Sequence, residues 1–111
     1  MIEDTLAKIE ARLQSTDALS DGKRRELQEL VATLKAEVAN LSQTHAEQAE
    51  SIAGFTELST HEATRDQQNP QLLKLSLTGM TSSVEEFEKS HPKLVKIVNA
   101  ISTTLANLGF D

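Results

Sequence analysis

Leu27, Val31, Leu34, Val38, Leu41, His45, Gln48, Ile52 and Phe55 follow one another at alternating steps of four and three. That spacing places all nine on one narrow helical seam, four heptads long. No proline falls between residues 21 and 69. The pattern predicts one continuous, coiled-coil-like helix over residues 21–58, about 57 Å long at 1.5 Å per residue. A compact domain of this chain length has a radius of gyration near ~13 Å. Such a rod has to protrude or lie along a partner of similar length. The seam is therefore expected to build a homodimer or higher homo-oligomer, two-fold closure being the commonest arrangement. His45 and Gln48 would be its polar layers, of the kind that fixes register. The monomeric alternative folds the helix back at a break near residues 51–54, where Gly54 is the weak point.

The rest of the chain also reads as helix. Ile2, Leu6, Ile9 and Leu13 form a short amphipathic stripe over 2–14, with Glu3 and Asp4 at its positive end. Ser20 can cap the second helix, followed by Asp21. Leu73, Leu77, Met80, Val84 and Phe87 predict a helix over 70–89, and Leu94, Ile97, Val98, Ile101, Leu105 and Leu108 one over 92–108. Asn69-Pro70 and His91-Pro92 open these two helices, because the residue before proline is pushed out of the helical region and proline fits the first helical position. Gly109 is placed as the C′ residue of the last helix, with Phe110 folding back on it. Gly79 interrupts its stripe and marks a close helix crossing. Residues 59–69 are polar throughout and are expected to be a linker. The expectation is a single all-α domain over 1–111, a helical hairpin or bundle of about four helices.

Composition agrees. Leu, Ile, Val and Phe make up 28 of 111 residues, above the ~20% below which disorder becomes the default. Four Gly and two Pro are too few for a turn-rich β-fold. With no Cys there is no disulfide, thiolate metal site or thiol nucleophile. The acidic start Met1-Ile2-Glu3-Asp4 carries no apolar h-region, so no signal peptide is expected. No segment approaches the ~20 apolar residues of a membrane helix, and the amphipathic stripes lack the basic polar face of an interfacial helix. A cytoplasmic protein without membrane attachment is expected.

Phe87-Glu88-Lys89-Ser90-His91-Pro92-Lys93-Leu94, with the ending Leu105-Ala106-Asn107-Leu108-Gly109-Phe110, resembles an uncharacterised family of small bacterial helical proteins, a domain of unknown function. Its pattern is F-E-x-x-H-P-x-L followed some fifteen residues on by L-x-x-[LI]-G-[IF]. The hairpin of the first two helices resembles the family's N-terminal half, with Leu19-Ser20-Asp21 before the second helix; the resemblance covers about 80 of the 111 residues, and the acidic middle, about 42–68, looks like an expansion relative to shorter members. The resemblance implies a cytosolic helical protein and brings no activity, ligand or catalytic residue with it.

Several constellations of residues have spacings that bear on chemistry. Glu88 and His91 have the Glu-x-x-His spacing of bundle metal sites, but a second copy of the motif is lacking, and His91 reads better as a helix cap. Glu57 and His61 stand four apart and would need a second chain to complete a metal site. His45 on the seam would titrate as a pH switch or serve as a tolerated polar layer, and the layer is preferred. The chain has no G-x-S-x-G elbow, Walker loop or G-x-G-x-x-G. Its four glycines stand singly. No catalytic, cofactor-binding or metal residue is therefore assigned, and no enzyme activity is expected. The net charge of −6 and the absence of Trp and Tyr argue against nucleic acid as a partner. The leading expectation is a non-enzymatic, self-associating helical interaction protein with a further protein partner. The alternatives are a small regulator that binds a nucleoprotein through Lys23, Arg24 and Arg25, and a metal-dependent assembly through the Glu57–His61 pair.

Overall fold

A computed structural model describes residues 1–110, the side chains of residues 109 and 110 lying outside the description. It is all-helical: α1 (Ile2–Ser15), α2 (Asp21–Ser42), α3 (Ala46–Thr64), α4 (Pro70–Ser82), a 3-10 turn (Glu85–Phe87) and α5 (Pro92–Phe110). Among the described residues there is no strand.

The predicted rod is broken. Residues 43–45 leave the helix, and His45 takes φ −136°, ψ 63°. The molecule is only 37 Å in its longest dimension, too short for a 57 Å helix. The local cause is Ser42-Gln43-Thr44-His45. Short polar side chains offer the backbone alternative partners and so compete with helix. Ser42 Oγ donates to the Ala39 carbonyl at 2.7 Å, and Thr44 Oγ1 bonds His45 Nδ1 at 2.8 Å. The break lies well before residues 51–54. Gly54 continues inside α3 with open space around its Cα.

With the rod folded, α3 becomes the central element. It packs against α1, α2, α4 and α5, while α5 closes the bundle against α2, α4 and the 3-10 turn. The seam residues Leu27, Val31, Leu34, Val38, Leu41 and Ile52 are buried in this core, beside Leu6, Ile9 and Leu13 of α1 and Leu94, Val98, Ile101 and Leu105 of α5. They are sheltered by their own chain, so the seam is not available to a second copy. Each large aliphatic side chain so buried contributes about 1.5–3 kcal/mol. His45 and Gln48 are half-buried, and Phe55 points outward.

Residues 59–64 are helix, not linker, and Ser59, Thr60, Glu62, Ala63 and Thr64 are buried. A ladder of hydroxyls makes this possible. Thr56 donates to the Ile52 carbonyl, Thr60 to Thr56 and Thr64 to Thr60, at 2.8, 2.8 and 2.6 Å. A hydroxyl bonded to its own helix loses most of the cost of burial. With Ala49, Ala53 and Ala63 this gives α3 a small-residue surface on which its neighbours settle. Only residues 65–69 connect α3 to α4.

The expected caps fall as follows. Ser20 Oγ accepts from Lys23 N at 3.2 Å. Asn69 Oδ1 accepts from Gln71 N and Leu72 N, at 3.0 and 3.1 Å, with Pro70 at the first helical position. Before Pro92, the His91 carbonyl accepts from Val95 N at 3.3 Å, while its imidazole turns to Ser90 Oγ at 3.0 Å. The helix expected over 70–89 ends at Ser82, where Ser83 Oγ donates to the Met80 carbonyl and a 3-10 turn takes over. α5 runs on to Phe110, so Gly109 lies within the last turn and not at C′.

Candidate functional site

Three surface features stand out once the core is accounted for. The first is apolar. Phe55, Leu58, Leu72 and Leu75 are 37, 45, 43 and 64% exposed. Together with Met1 they are the large hydrophobic side chains exposed among the described residues. All four lie on α3 and α4, two helices that pack directly on each other. Phe55 and Leu58 are one turn apart on α3. Leu72, Leu75 and Gly79 share a face of α4, at steps of three and four. A Cβ built on Gly79 would collide with the Phe55 ring, whose Cδ1 would stand 2.6 Å away. Gly79 thus marks a close crossing, as its place in the stripe indicated, and Phe55 lies across it. Phe55 was expected in the helix 21–58 seam. The break at 43–45 re-registers α3, and Phe55 now faces out.

The second feature is a cluster at the break. Phe87 is buried, and the rings of His45 and His91 pack both on it and on each other, so that the three form a triangle. Ring centroids are 5.3 Å (His45–Phe87), 5.4 Å (Phe87–His91) and 6.2 Å (His45–His91), all edge-to-face. This accounts for the Phe87…His91-Pro92 segment: it pins the start of α5 to the bend between α2 and α3. Edge-to-face aromatic pairs contribute ~0.5–1.5 kcal/mol each beyond their buried area. Sequence reading placed His45 and His91 apart, because nothing local joins residues 46 positions distant.

The third is the groove between α1 and α3. Lys8 and Arg12, one turn apart on α1, face Glu57, Leu58 and His61 of α3. Glu57 and His61 do come to a common place, but among the described residues no group of three or more His, Cys, Asp or Glu side chains gathers to hold a metal.

The basic triplet is largely occupied. Arg24 is half-buried, and its side chain is engaged within the chain. Its guanidinium donates to the Leu13 and Gln14 carbonyls at the end of α1 and to those of Thr16 and Leu19 in the following loop. A cation there satisfies orphan carbonyls and meets the negative end of the helix dipole. Lys23 pairs with Glu26 at 3.4 Å, which leaves Arg25 exposed and free of ion pairs among the described residues.

The fold is thus an all-α bundle, with five α-helices among the described residues; α3 carries small residues at its inner contacts, and Phe55, Leu58, Leu72 and Leu75 are left exposed on α3 and α4. The profile of a domain of unknown function, DUF4404, matches residues 27–110, and the chain belongs to that family. The matched stretch covers most of α2 and all of α3, α4 and α5, including the Phe87–Leu94 motif that carried the resemblance. α1 and the Leu19-Ser20-Asp21 turn lie outside it. No curated protein and no solved structure matches the chain. No helix among the described residues is long and apolar enough to cross a membrane.

Proposed function

We propose that this protein is a non-enzymatic helical interaction module that self-associates through the outer face of α3 and α4. The seam of α2 no longer supports that reading, because it is consumed inside the chain. What supports it is the segregation of exposed apolar side chains: among the described residues, apart from Met1, the four large ones are confined to two neighbouring helices. The core is closed without them, so their exposure is not a by-product of an unfinished interior. Single exposed apolar residues are ordinary on protein surfaces, whereas a contiguous group marks a contact. Two-fold closure places such a face against its own copy, which covers Leu72 and Leu75 on both chains at once.

Sedimentation velocity over a concentration series tests the proposal. The wild-type protein should shift from monomer towards dimer as concentration rises. Leu75→Lys, at the most exposed of the four positions, should hold the protein monomeric without altering its helical circular dichroism. A wild-type protein that stays strictly monomeric at high micromolar concentration rejects self-association.

A further inference from the structure

The α1–α3 groove contains an arginine that is aimed but not used. Arg12 donates from Nε to Thr64 Oγ1 at 2.9 Å, and Thr64 in turn donates to the Thr60 carbonyl at 2.6 Å. Thr64 is buried, 2% exposed, so this chain fixes the guanidinium from behind. Among the described residues its two terminal nitrogens have no hydrogen-bond partner, and no carboxylate comes within 4 Å of Arg12 or Lys8. In a chain of net charge −6 two unpaired cations on one helix turn are a notable surplus. They border a hollow of about 390 Å³ whose apolar walls are Ile9 and Leu58. That volume lies within the ~300–1,000 Å³ range of small-ligand sites. A second hollow adjoins it, with Arg12 and His61 common to both.

We infer that this groove binds a small amphiphilic carboxylate. The anionic head meets the terminal nitrogens of Arg12, a planar fork that matches a carboxylate bidentately. Lys8 adds a second positive charge one turn away. The apolar body lies against Ile9 and Leu58. Glu57 is the one carboxylate bordering this hollow. It opposes an anion, and it favours a singly charged head over a doubly charged phosphate. Asp17 and Asp66 border the adjoining hollow beyond Arg12 and confine the anion to the Lys8 side.

Octanoate, titrated into the ¹⁵N-labelled full chain and followed by amide chemical shifts, tests this. Saturable shifts should cluster at residues 8–12 and 57–61. Octanol and acetate should each bind at least ~tenfold more weakly, because each lacks one half of the recognition, a charged hydrogen bond or a buried apolar chain. Arg12→Gln should weaken octanoate by ~tenfold, Lys8→Gln should weaken it less, and Glu57→Gln should tighten it. Lys8 and Glu57 have no structural hydrogen bond among the described residues, so those two variants test the site even if Arg12→Gln disturbs packing. Octanol binding as well as octanoate overturns the role of the cations. Acetate binding as well overturns the role of the apolar walls. Absent saturation at millimolar octanoate, or shifts centred on Leu72 and Leu75, overturns the site.

Discussion

Phe55 lies across Gly79 of the neighbouring helix, one edge of its ring in the space that a side chain at residue 79 would occupy. The glycine is needed for that contact and not for backbone freedom, since no described glycine has a positive φ. Two opposed terms follow. Replacing a helical Gly by Ala gains about 1 kcal/mol in propensity, and the displaced ring loses its seat.

Gly79→Ala alone should therefore change stability by less than ~1 kcal/mol, because the ring is already part-exposed and can swing outward. In a Phe55→Ala background the same substitution should stabilise by about 1 kcal/mol. Urea unfolding of the four proteins of this double-mutant cycle measures the coupling. Additivity would show that the two residues do not share the space.

Arg24 holds the end of α1 to the loop that follows. Arg24→Ala should cost about 1.5–3 kcal/mol, the range for hydrogen bonds to a charged group. Arg25→Ala, one residue on and exposed, should stay within ~0.5 kcal/mol. Thermal melts of the pair make the comparison. Equal effects would place Arg24 outside the fold's framework and return it to the surface as a contact for partners.

Ser59 is the one polar side chain in the described structure that is buried with an unbonded oxygen. Its neighbours Thr56, Thr60 and Thr64 all bond carbonyls of their own helix. Ser59→Ala removes an unsatisfied group and raises helix propensity, so it should stabilise by up to ~1 kcal/mol. Thr60→Ala, which removes a satisfied hydroxyl and leaves a small void, should destabilise. Chemical denaturation of both variants gives the two signs.

Phe87 joins the start of α5 to the bend at residues 43–45. Phe87→Ala should cost about 3–5 kcal/mol, the usual range for a buried aromatic. His45→Ala should cost less, about 1–3 kcal/mol, for two lost aromatic pairs. Amide exchange should report the damage first at residues 43–48 and 90–95. Loss spread evenly over the bundle would argue against a local pin.

Read alone, the sequence determined the all-helical class, the caps at Ser20 and Asn69, the extents of α1 and α5 to within two residues, and most of the core. These are local matters. A hydrophobic stripe at helical spacing buries itself whatever it packs against, and a cap acts on the three residues beside it. The same rules misjudged the middle. Leu27 to Leu41 and Ile52 keep heptad spacing, yet they lie on two different helices, α2 and α3, of one bundle, because periodicity records that a face is buried and not by what. The polar run at residues 42–45 was the available sign of the break. Only the tertiary structure decided that α3 turns back, that threonines spaced four apart can be interior, and that Phe55, Leu58, Leu72 and Leu75 are left outside. Each of those outcomes depends on contacts between residues distant in the chain. Their energies cannot be read from either partner's neighbours in sequence.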